Sequence, residues 1–263
     1  MPKNRLACFL PLLLVACLPA SVVHSAPQLF HSEYSVSFLG FTVARSRFES
    51  AFSGRTFSIK GSLASAGIAQ IFDDTRGTVS ASGRFAGSTP RPDHFATTYI
   101  SGRKAKKTEI GFSEGNVVST VNVPPLKKRG EDWVSLSRQD LRTVVDPISA
   151  ALVRAKGLEH VCDRTVKMYD GEMRADLVLA YSSIEPVSFP GYKGDAIFCS
   201  ARFVPVAGYR KGHKSIAYLQ NRSKIAIAFA PVGTTGVYAP VYATVGTQIG
   251  TITIRARKFE AAN

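Results

Sequence analysis

The stretch YSVSFLGFTVARSRFESAFSGRTFSIKG, residues 34–61, decides the fold. From Tyr34 to Phe38, apolar side chains alternate with serine hydroxyls, which is the period of a strand buried on one face. Gly40 interrupts the pattern, and 41–52 continue it as far as the turn group Ser53-Gly54-Arg55. Because three such runs follow one another with short turns between them, the stretch predicts an up-and-down antiparallel meander.

The same period returns along most of the remaining chain. Strands are predicted at 75–82, 93–101, 105–112, 116–123, 195–204, 224–230, 237–245 and 250–259. Turn groups rich in Gly, Pro, Ser and Asn separate them, and there is no internal repeat, low-complexity tract or long linker. We therefore predict a mainly β protein with one domain over 27–263, built on a single antiparallel curved sheet, a β-spiral or a half-open barrel.

The middle of the chain has a different period. Between 137 and 156, apolar residues recur every three or four positions, as in a helix. Asp146 is a good N-cap for a helix that begins at Pro147, because its carboxylate accepts a free backbone N–H and proline has none to leave unpaired. We predict a short helix, a break and a helix over 146–156, covering the open mouth or the concave face of the sheet.

A hairpin signal follows this helical segment. The runs 162–169 and 173–181 flank Asp170-Gly171, a dipeptide typical of tight hairpin turns. The next predicted strand, 195–204, carries Cys199 and is expected to lie beside this hairpin.

The first 26 residues have the layout of a secretory signal peptide. Lys3 and Arg5 precede an apolar run from Leu6 to Val15, and small residues surround Ser25 and Ala26, after either of which cleavage is expected. This predicts a periplasmic protein. The alternative is a lipoprotein, because the residues before Cys17 match an acylation site and Cys17 would then tether the domain to a membrane. No later stretch has the ~20 uninterrupted apolar residues of a membrane-spanning helix.

Two cysteines remain after the leader is removed. Cys162 and Cys199 have no Cys-x-x-Cys spacing and no nearby set of zinc ligands. In an oxidising compartment they are expected to form one disulfide, worth about 4 kcal/mol in the chain-entropy estimate.

The charge is strongly basic, with a formal net charge of +14. Such a field attracts polyanions, which for an exported protein means lipid, lipopolysaccharide or cell-wall groups and excludes nucleic acid as an ordinary partner. The surplus charge is also explained as solvated surface. Three clusters in predicted turns or loops are candidate anion-binding residues: Arg103, Lys104, Lys106, Lys107, Lys127, Lys128, Arg129, Arg210, Lys211 and Lys214.

Catalytic signatures are absent from the sequence. There is no nucleophile elbow, zinc helix or phosphate-binding loop. The carboxyl pairs Asp73-Asp74, Glu131-Asp132 and Asp170 with Glu172 are better explained by turns and surface solvation. The histidines show no ligand spacing, so we predict no catalytic residues, metal or cofactor.

Several short pieces together resemble the proteobacterial exported family catalogued as domain of unknown function 3108. They are the strand pair 31–41, the helix start 146–149, the hairpin pieces 162–165 and 169–171, and the segment 199–209. The resemblance implies an exported, β-rich envelope protein and brings no established reaction. The architecture is also similar to that of exported β-spiral or half-barrel proteins of the lipoprotein-carrier type, by analogy.

Two function classes follow from these observations. The first is a non-catalytic envelope protein whose basic rim and apolar interior bind an anionic amphiphile or an envelope component, with a role in envelope maintenance. The second is an exported hydrolase with an unrecognised acid/base pair. The sequence leaves the ligand and the oligomeric state open.

Overall fold

A computed structural model describes residues 26–67, 69–72, 74–127 and 129–262. The predicted signal peptide, Cys17, Asp73 and Lys128 lie outside the described residues.

Most of the described chain is β-strand. The first seven strands are β1 Gln28–Phe38, β2 Phe41–Ser53, β3 Thr56–Ser65, β4 Thr75–Ala86, β5 Thr89–Ser101, β6 Lys104–Ser113 and β7 Asn116–Val123. The other nine are β8 Trp133–Val134, β9 Val153–Arg154, β10 Arg164–Tyr169, β11 Arg174–Phe189, β12 Tyr192–Ala207, β13 Tyr209–Arg210, β14 Ile225–Pro231, β15 Val237–Thr247 and β16 Gly250–Ala261. The helices are α1 Ala69–Phe72, α2 Pro147–Ala150 and α3 Lys214–Asn221, with a 3-10 turn at Leu158–His160.

A single fourteen-stranded sheet contains almost all of these strands. Its order is β10-β11-β12-β14-β15-β16-β1-β2-β3-β4-β5-β6-β7, with β9 added beside β15, while β8 and β13 form a separate pair. Neighbours within it are antiparallel, and β1 and β16 join the two halves of the chain through pairs such as Tyr34 with Ala256. The predicted class, mainly β with one antiparallel sheet that does not close into a barrel, is confirmed.

The alternation of the sequence accounts for the two faces of the sheet. On β3, Phe57 and Ile59 are buried while Ser58 and Lys60 are exposed, because successive side chains point to opposite faces. Phe57, Ile59 and Gly61 belong to the row that faces the inside of the sheet, which we call the inner row. The ring of Phe48 on β2 covers the space that a side chain at Gly61 would fill.

The two edge strands, β7 and β10, are bridged by the segment 141–145 instead of pairing with each other. The N–H of Val117 donates to the Leu141 carbonyl and that of Val144 to the Gly115 carbonyl, both at 3.0 Å. At the other edge, the N–H of Val145 donates to the carbonyl of Lys167 on β10 at 2.9 Å. The short helix predicted before residue 146 is therefore wrong: this segment is turn and extended chain, because it supplies backbone partners to both edges of the sheet.

The second predicted helix is shorter than expected. Asp146 caps it as predicted, since its Oδ1 accepts hydrogen bonds from the N–H groups of Ile148 and Ser149, both at 2.9 Å. However, α2 ends at Ala150, and the chain enters β9, which pairs with β15 through Val153 and Tyr238. The helix over 146–156 is wrong because strand pairing with β15 overrides the helical period of these residues.

The β11–β12 hairpin is longer than predicted. The strand predicted at 173–181 extends to Phe189, and the strand predicted at 195–204 already begins at Tyr192. Pro186 pairs with Asp195 across this hairpin. The β10–β11 turn also differs, since Tyr169 pairs with Arg174 and leaves a four-residue loop. Both α1 and α3 were missed by the sequence analysis. None of the helices in the described ranges is long and apolar enough to cross a bilayer.

Cys162 and Cys199 form the predicted disulfide, with Cα atoms 5.7 Å apart and a sequence separation of 37. Both side chains are buried beside Val161 and Ile197 in the core under β10–β12. The bond ties the chain just before the edge strand β10 to the interior strand β12.

We predict that replacing both cysteines by serine lowers the free energy of unfolding by about 4 kcal/mol, because the crosslink restricts the unfolded chain. Urea unfolding followed by circular dichroism measures the change. Tris(2-carboxyethyl)phosphine should destabilise the wild type but leave the double variant unaffected. Equal stability of the oxidised and reduced wild type would contradict this.

Asp146 offers a second test, because burial raises the pKa of its carboxyl although hydrogen bonds from Ser149 and Ile148 oppose the shift. Asp146→Ala loses the cap and is expected to be destabilised by about 1–2 kcal/mol. Asn also caps well but carries no charge, so Asp146→Asn should remain folded. A raised native pKa means that the native state binds more protons, so wild-type stability falls relative to Asp146→Asn as the pH rises from acid to neutral. A difference in stability between the wild type and Asp146→Asn that does not change with pH would contradict the raised pKa of Asp146.

Candidate binding chamber and its mouth

A cavity of about 590 Å³ lies against the inner face of β1–β5, and we call it the chamber. The pairing register places its wall residues on one face of the sheet, since Tyr34 pairs with Ser46 and Ser46 with Leu63. The wall is largely apolar, with serine and threonine hydroxyls between the larger groups. Its side chains include Phe30, Phe48, Phe52, Ile59, Leu63, Val79 and Phe95.

The short helix α2 and the chain after it form the opposite side of the chamber. Pro147, Ile148 and Leu152 line it there, together with Val232 and Pro240. Asp146 orients this helix, so the cap holds an apolar surface towards the inner face of the sheet. The prediction that a helix covers the concave face is consistent with this position, although the helix has only four residues.

One end of the chamber opens to solvent. Leu63 and Tyr99 belong to the inner row, yet they are 39% and 37% exposed. In the same cross-strand row, on β1, the hydroxyl of Tyr34 donates to the Pro240 carbonyl at 2.8 Å. Burial raises the pKa of Tyr34 to about 12, so this group stays a neutral donor. The chamber therefore has an apolar interior and an accessible rim.

A second cavity of about 440 Å³, which we call the mouth pocket, shares Thr97 and Tyr99 with the chamber. Its charged lining residues are Lys106, Lys107, Lys127, Arg129, Asp170 and Glu172. Lys106 belongs to the inner row because it pairs with Tyr99, and its ammonium lies 5.7 Å from the centre of that ring.

Two of the mouth cations are available for an anion. Lys107 is paired with Glu109 at 2.8 Å, and Arg129 is paired with Glu172. The guanidinium carbon of Arg129 also lies 4.2 Å from the centre of the Trp133 ring and covers one face of it. In the described part of the chain, Lys106 and Lys127 have no ion pair, so an anionic group bound here would not have to displace a carboxylate from them.

The topology brings the predicted basic clusters to one end of the sheet. In an antiparallel meander, the β1–β2 and β5–β6 turns share an end, so Arg103 and Lys104 lie at the end where Leu63 and Tyr99 are exposed. The segment after β7 carries Lys127 and Arg129 to the same end. The expectation that all clusters lie in loops is wrong, however, because strands and a helix hold five of the ten: Lys104, Lys106, Lys107, Arg210 and Lys214.

The Arg210 cluster is tied to the same region. Arg210 pairs with Trp133 in the β8–β13 ladder, and its Nε lies 3.0 Å from Asp132 Oδ2. Lys211 donates its N–H to the Asp132 carbonyl at 2.7 Å. Lys214 begins α3. These residues flank the mouth pocket but do not line it.

The largest of these three cavities, about 1130 Å³, is a groove along β1–β6; most of its lining residues belong to the outer row, although it also touches Tyr34, Ser46, Leu63 and Tyr99 of the inner row. Arg45 and Arg47 alternate with the inner residue Ser46, so the sheet separates their side chains from the chamber. Arg76, Lys107 and Arg257 also line this outer groove. Sequence analysis missed these arginines because they occur at alternate positions and form no charge run; alternation of arginine with inward residues was the available signal.

Neighbouring groups engage the described carboxyl groups Asp132, Asp170 and Glu172, although Asp170 and Glu172 both line the mouth pocket. Asp170 Oδ1 accepts from the N–H groups of Glu172 and Met173 at 2.9 and 2.7 Å, so it caps its own turn. Asp132 is paired with Arg210, and Glu172 is paired with Arg129. Within the described ranges, no three His, Cys, Asp or Glu side chains are grouped as metal ligands.

A solved structure of another protein shares this architecture. A crystal structure described as a β-barrel-like protein of domain of unknown function DUF1849 from Brucella abortus superimposes with a TM-score of 0.50. The two chains are 10% identical, and the match covers 92% of this chain and 100% of the other. A protein from Parabacteroides distasonis described as "a putative lipoprotein" gives a TM-score of 0.34 at 8% identity, over 89% of this chain and 95% of the other.

No curated protein matches the sequence. The profile of one family, described as a protein of unknown function (DUF3108), matches residues 33–257. This match extends from β1 to β16 and confirms the resemblance drawn from the short sequence pieces. The chain therefore belongs to the DUF3108 family.

Proposed function

We propose that this protein is an exported, non-catalytic envelope protein that binds an anionic amphiphile. The apolar tail occupies the chamber, and the anionic head group lies in the mouth pocket beside Lys106 and Lys127. The observation that carries the proposal is the shared wall: Thr97 and Tyr99 border both cavities, so a single molecule can contact apolar and cationic surface at once.

The size and lining of the chamber favour a ligand with an alkyl chain. Ligand pockets commonly measure about 300–1,000 Å³ and are mostly apolar with a few placed polar groups, and the chamber falls in this range. Each methylene moved from water into such a wall contributes about 0.8 kcal/mol. Envelope phospholipids and lipid A combine acyl chains with phosphate, whereas cell-wall fragments without an acyl chain would leave the chamber unfilled.

Export is supported by two features of different kinds. The leader has the charged head, apolar run and small-residue end of a signal peptide. The buried disulfide between Cys162 and Cys199 fits an oxidising compartment. In the periplasm, anionic amphiphiles are abundant on both enclosing membranes, which is where a role in envelope maintenance would lie.

We predict that filling the chamber blocks binding. Ser46 lies on its inner wall, so Ser46→Phe places a ring where the tail would lie and should weaken binding of tetradecyl phosphate at least about tenfold. Isothermal titration calorimetry measures the affinity. Ser58→Phe adds the same ring to the exposed face of β3 and should bind like the wild type. Equal affinities of the two variants would show that the tail binds elsewhere.

The mouth cations are tested separately. Lys106→Gln combined with Lys127→Gln removes both unpaired charges and should weaken tetradecyl phosphate binding about tenfold, mostly at low salt. Binding of neutral tetradecyl maltoside should change little, because its tail contacts are unaltered. Lys193→Gln, at the exposed far end of β12, serves as the charge control. An equal loss of affinity for tetradecyl phosphate and tetradecyl maltoside would contradict the placement of the head group beside these lysines.

A further inference from the structure

Two turns at the open end of the sheet expose large apolar side chains. Leu39 in the β1–β2 turn and Phe41 at the start of β2 are 61% and 62% exposed, and Ile249 in the β15–β16 turn is 77% exposed. The turns lie side by side, since a Cβ added at Gly250 would be 2.6 Å from Leu39 Cδ2. We call Leu39, Phe41 and Ile249 the apolar tip.

Leucine is an unusual residue for this turn. Leu39 and Gly40 have φ values of 50° and 88°, a left-handed pair that hairpin turns normally build from Asn-Gly or Asp-Gly. A bulky side chain at positive φ costs backbone free energy, and Leu39 recovers little of it by burial. Folding alone does not account for the choice of leucine here.

The strands that form the tip carry no charge near it, and cations lie further down these strands. Residues 34–44 and 246–254 contain neither acidic nor basic side chains. The first charged residues beyond them on β2 and β16 are Arg45 and Arg255, which are exposed and face the same side as their common partner Ser35.

Further cations lie at the same end. The side chain of Gln248 donates from Nε2 to the Lys214 carbonyl at 3.3 Å, which places the exposed start of α3 beside the tip. The β5–β6 turn adds Arg103 and Lys104. The acidic residue Glu33, further down β1, is already paired with Arg47 at 3.1 Å.

We infer that the apolar tip docks this end of the protein on an anionic lipid bilayer. Leu39, Phe41 and Ile249 enter the boundary between head groups and acyl chains, and the nearby cations contact lipid phosphates. Arg45 follows Phe41 by four residues on one strand, at most about 13 Å at strand rise, so it lies behind the tip on the aqueous side, where its long side chain can contact head-group phosphates.

This inference does not require the proposed amphiphile site, but it complements it. The chamber opens at the end that carries the tip, so docking would present the mouth to the membrane surface. The two ideas can fail independently, because binding of tetradecyl phosphate in solution tests only the chamber.

The test is flotation of the protein, as recovered from cells, with vesicles of phosphatidylglycerol and phosphatidylcholine in equal parts. The test variant combines Leu39→Asn with Ile249→Ser; Asn suits the left-handed turn, so folding should be preserved or improved. We expect its partition coefficient to fall at least about tenfold. The control combines Leu29→Ser with Ile184→Ser, which removes exposed apolar side chains away from the tip and should leave partitioning unchanged. All variants share one N-terminus, so any leader or anchor contributes equally.

Charge provides the second arm of the test. Pure phosphatidylcholine vesicles, or Arg45→Gln with Arg255→Gln on the mixed vesicles, should weaken partitioning. Wild-type partitioning by the tip variant would overturn the inference. So would a wild type that floats with neither vesicle and forms a dimer that the tip variant cannot form, which would assign the tip to contact with a second copy of the chain.

Discussion

The antiparallel pairing of β1 with β16 is the interaction on which the rest of the structure depends. It runs from Phe30 opposite Ala261 to Phe38 opposite Ile252 and joins the N-terminal meander to the strands that follow the helical segment. The chamber needs both halves, because the meander supplies its wall while α2 and the β14–β15 region supply the opposite side. The segment 141–145 then links the two free edges of the sheet by hydrogen bonds to the chain at both.

Strand alternation gives this one sheet two different surfaces. On β2, Phe48 faces the chamber and its neighbour Arg47 faces the outer groove. Both residues are fixed by one register, so a single-residue slip of β2 would place arginines inside and phenylalanine outside. The outer groove is the larger cavity, but arginine, lysine and other polar groups form much of its lining, whereas the lining of the chamber is largely apolar. The chamber therefore suits an alkyl chain better than the groove does, despite its smaller volume.

Local sequence patterns predicted the features that local physics controls. The strands of the meander, the Asp146 cap and the Cys162–Cys199 bridge were anticipated from alternation, capping chemistry and cysteine count. The helix over 146–156 failed because β15 offers backbone pairing to Val153, a long-range partner that periodicity does not reveal. The residues of the chamber wall could not be predicted from the sequence, because they depend on the pairing register of the strands. Lys106 and Lys127 line one pocket only because the β5–β6 turn and the segment after β7 lie at the same end of the sheet. The predicted signal peptide, including Cys17, lies outside the described residues, and export stays a prediction.

Crystallography with a bromine-labelled ligand tests the central claim most directly. An alkyl phosphate that carries bromine at the end of its chain can be located by anomalous diffraction. The account predicts a bromine peak among Phe48, Ile59 and Ile148, with the phosphate beside Lys106. A bromine in the outer groove near Arg45 and Arg76, or a chamber that stays empty in crystals where the ligand is bound elsewhere, would contradict it.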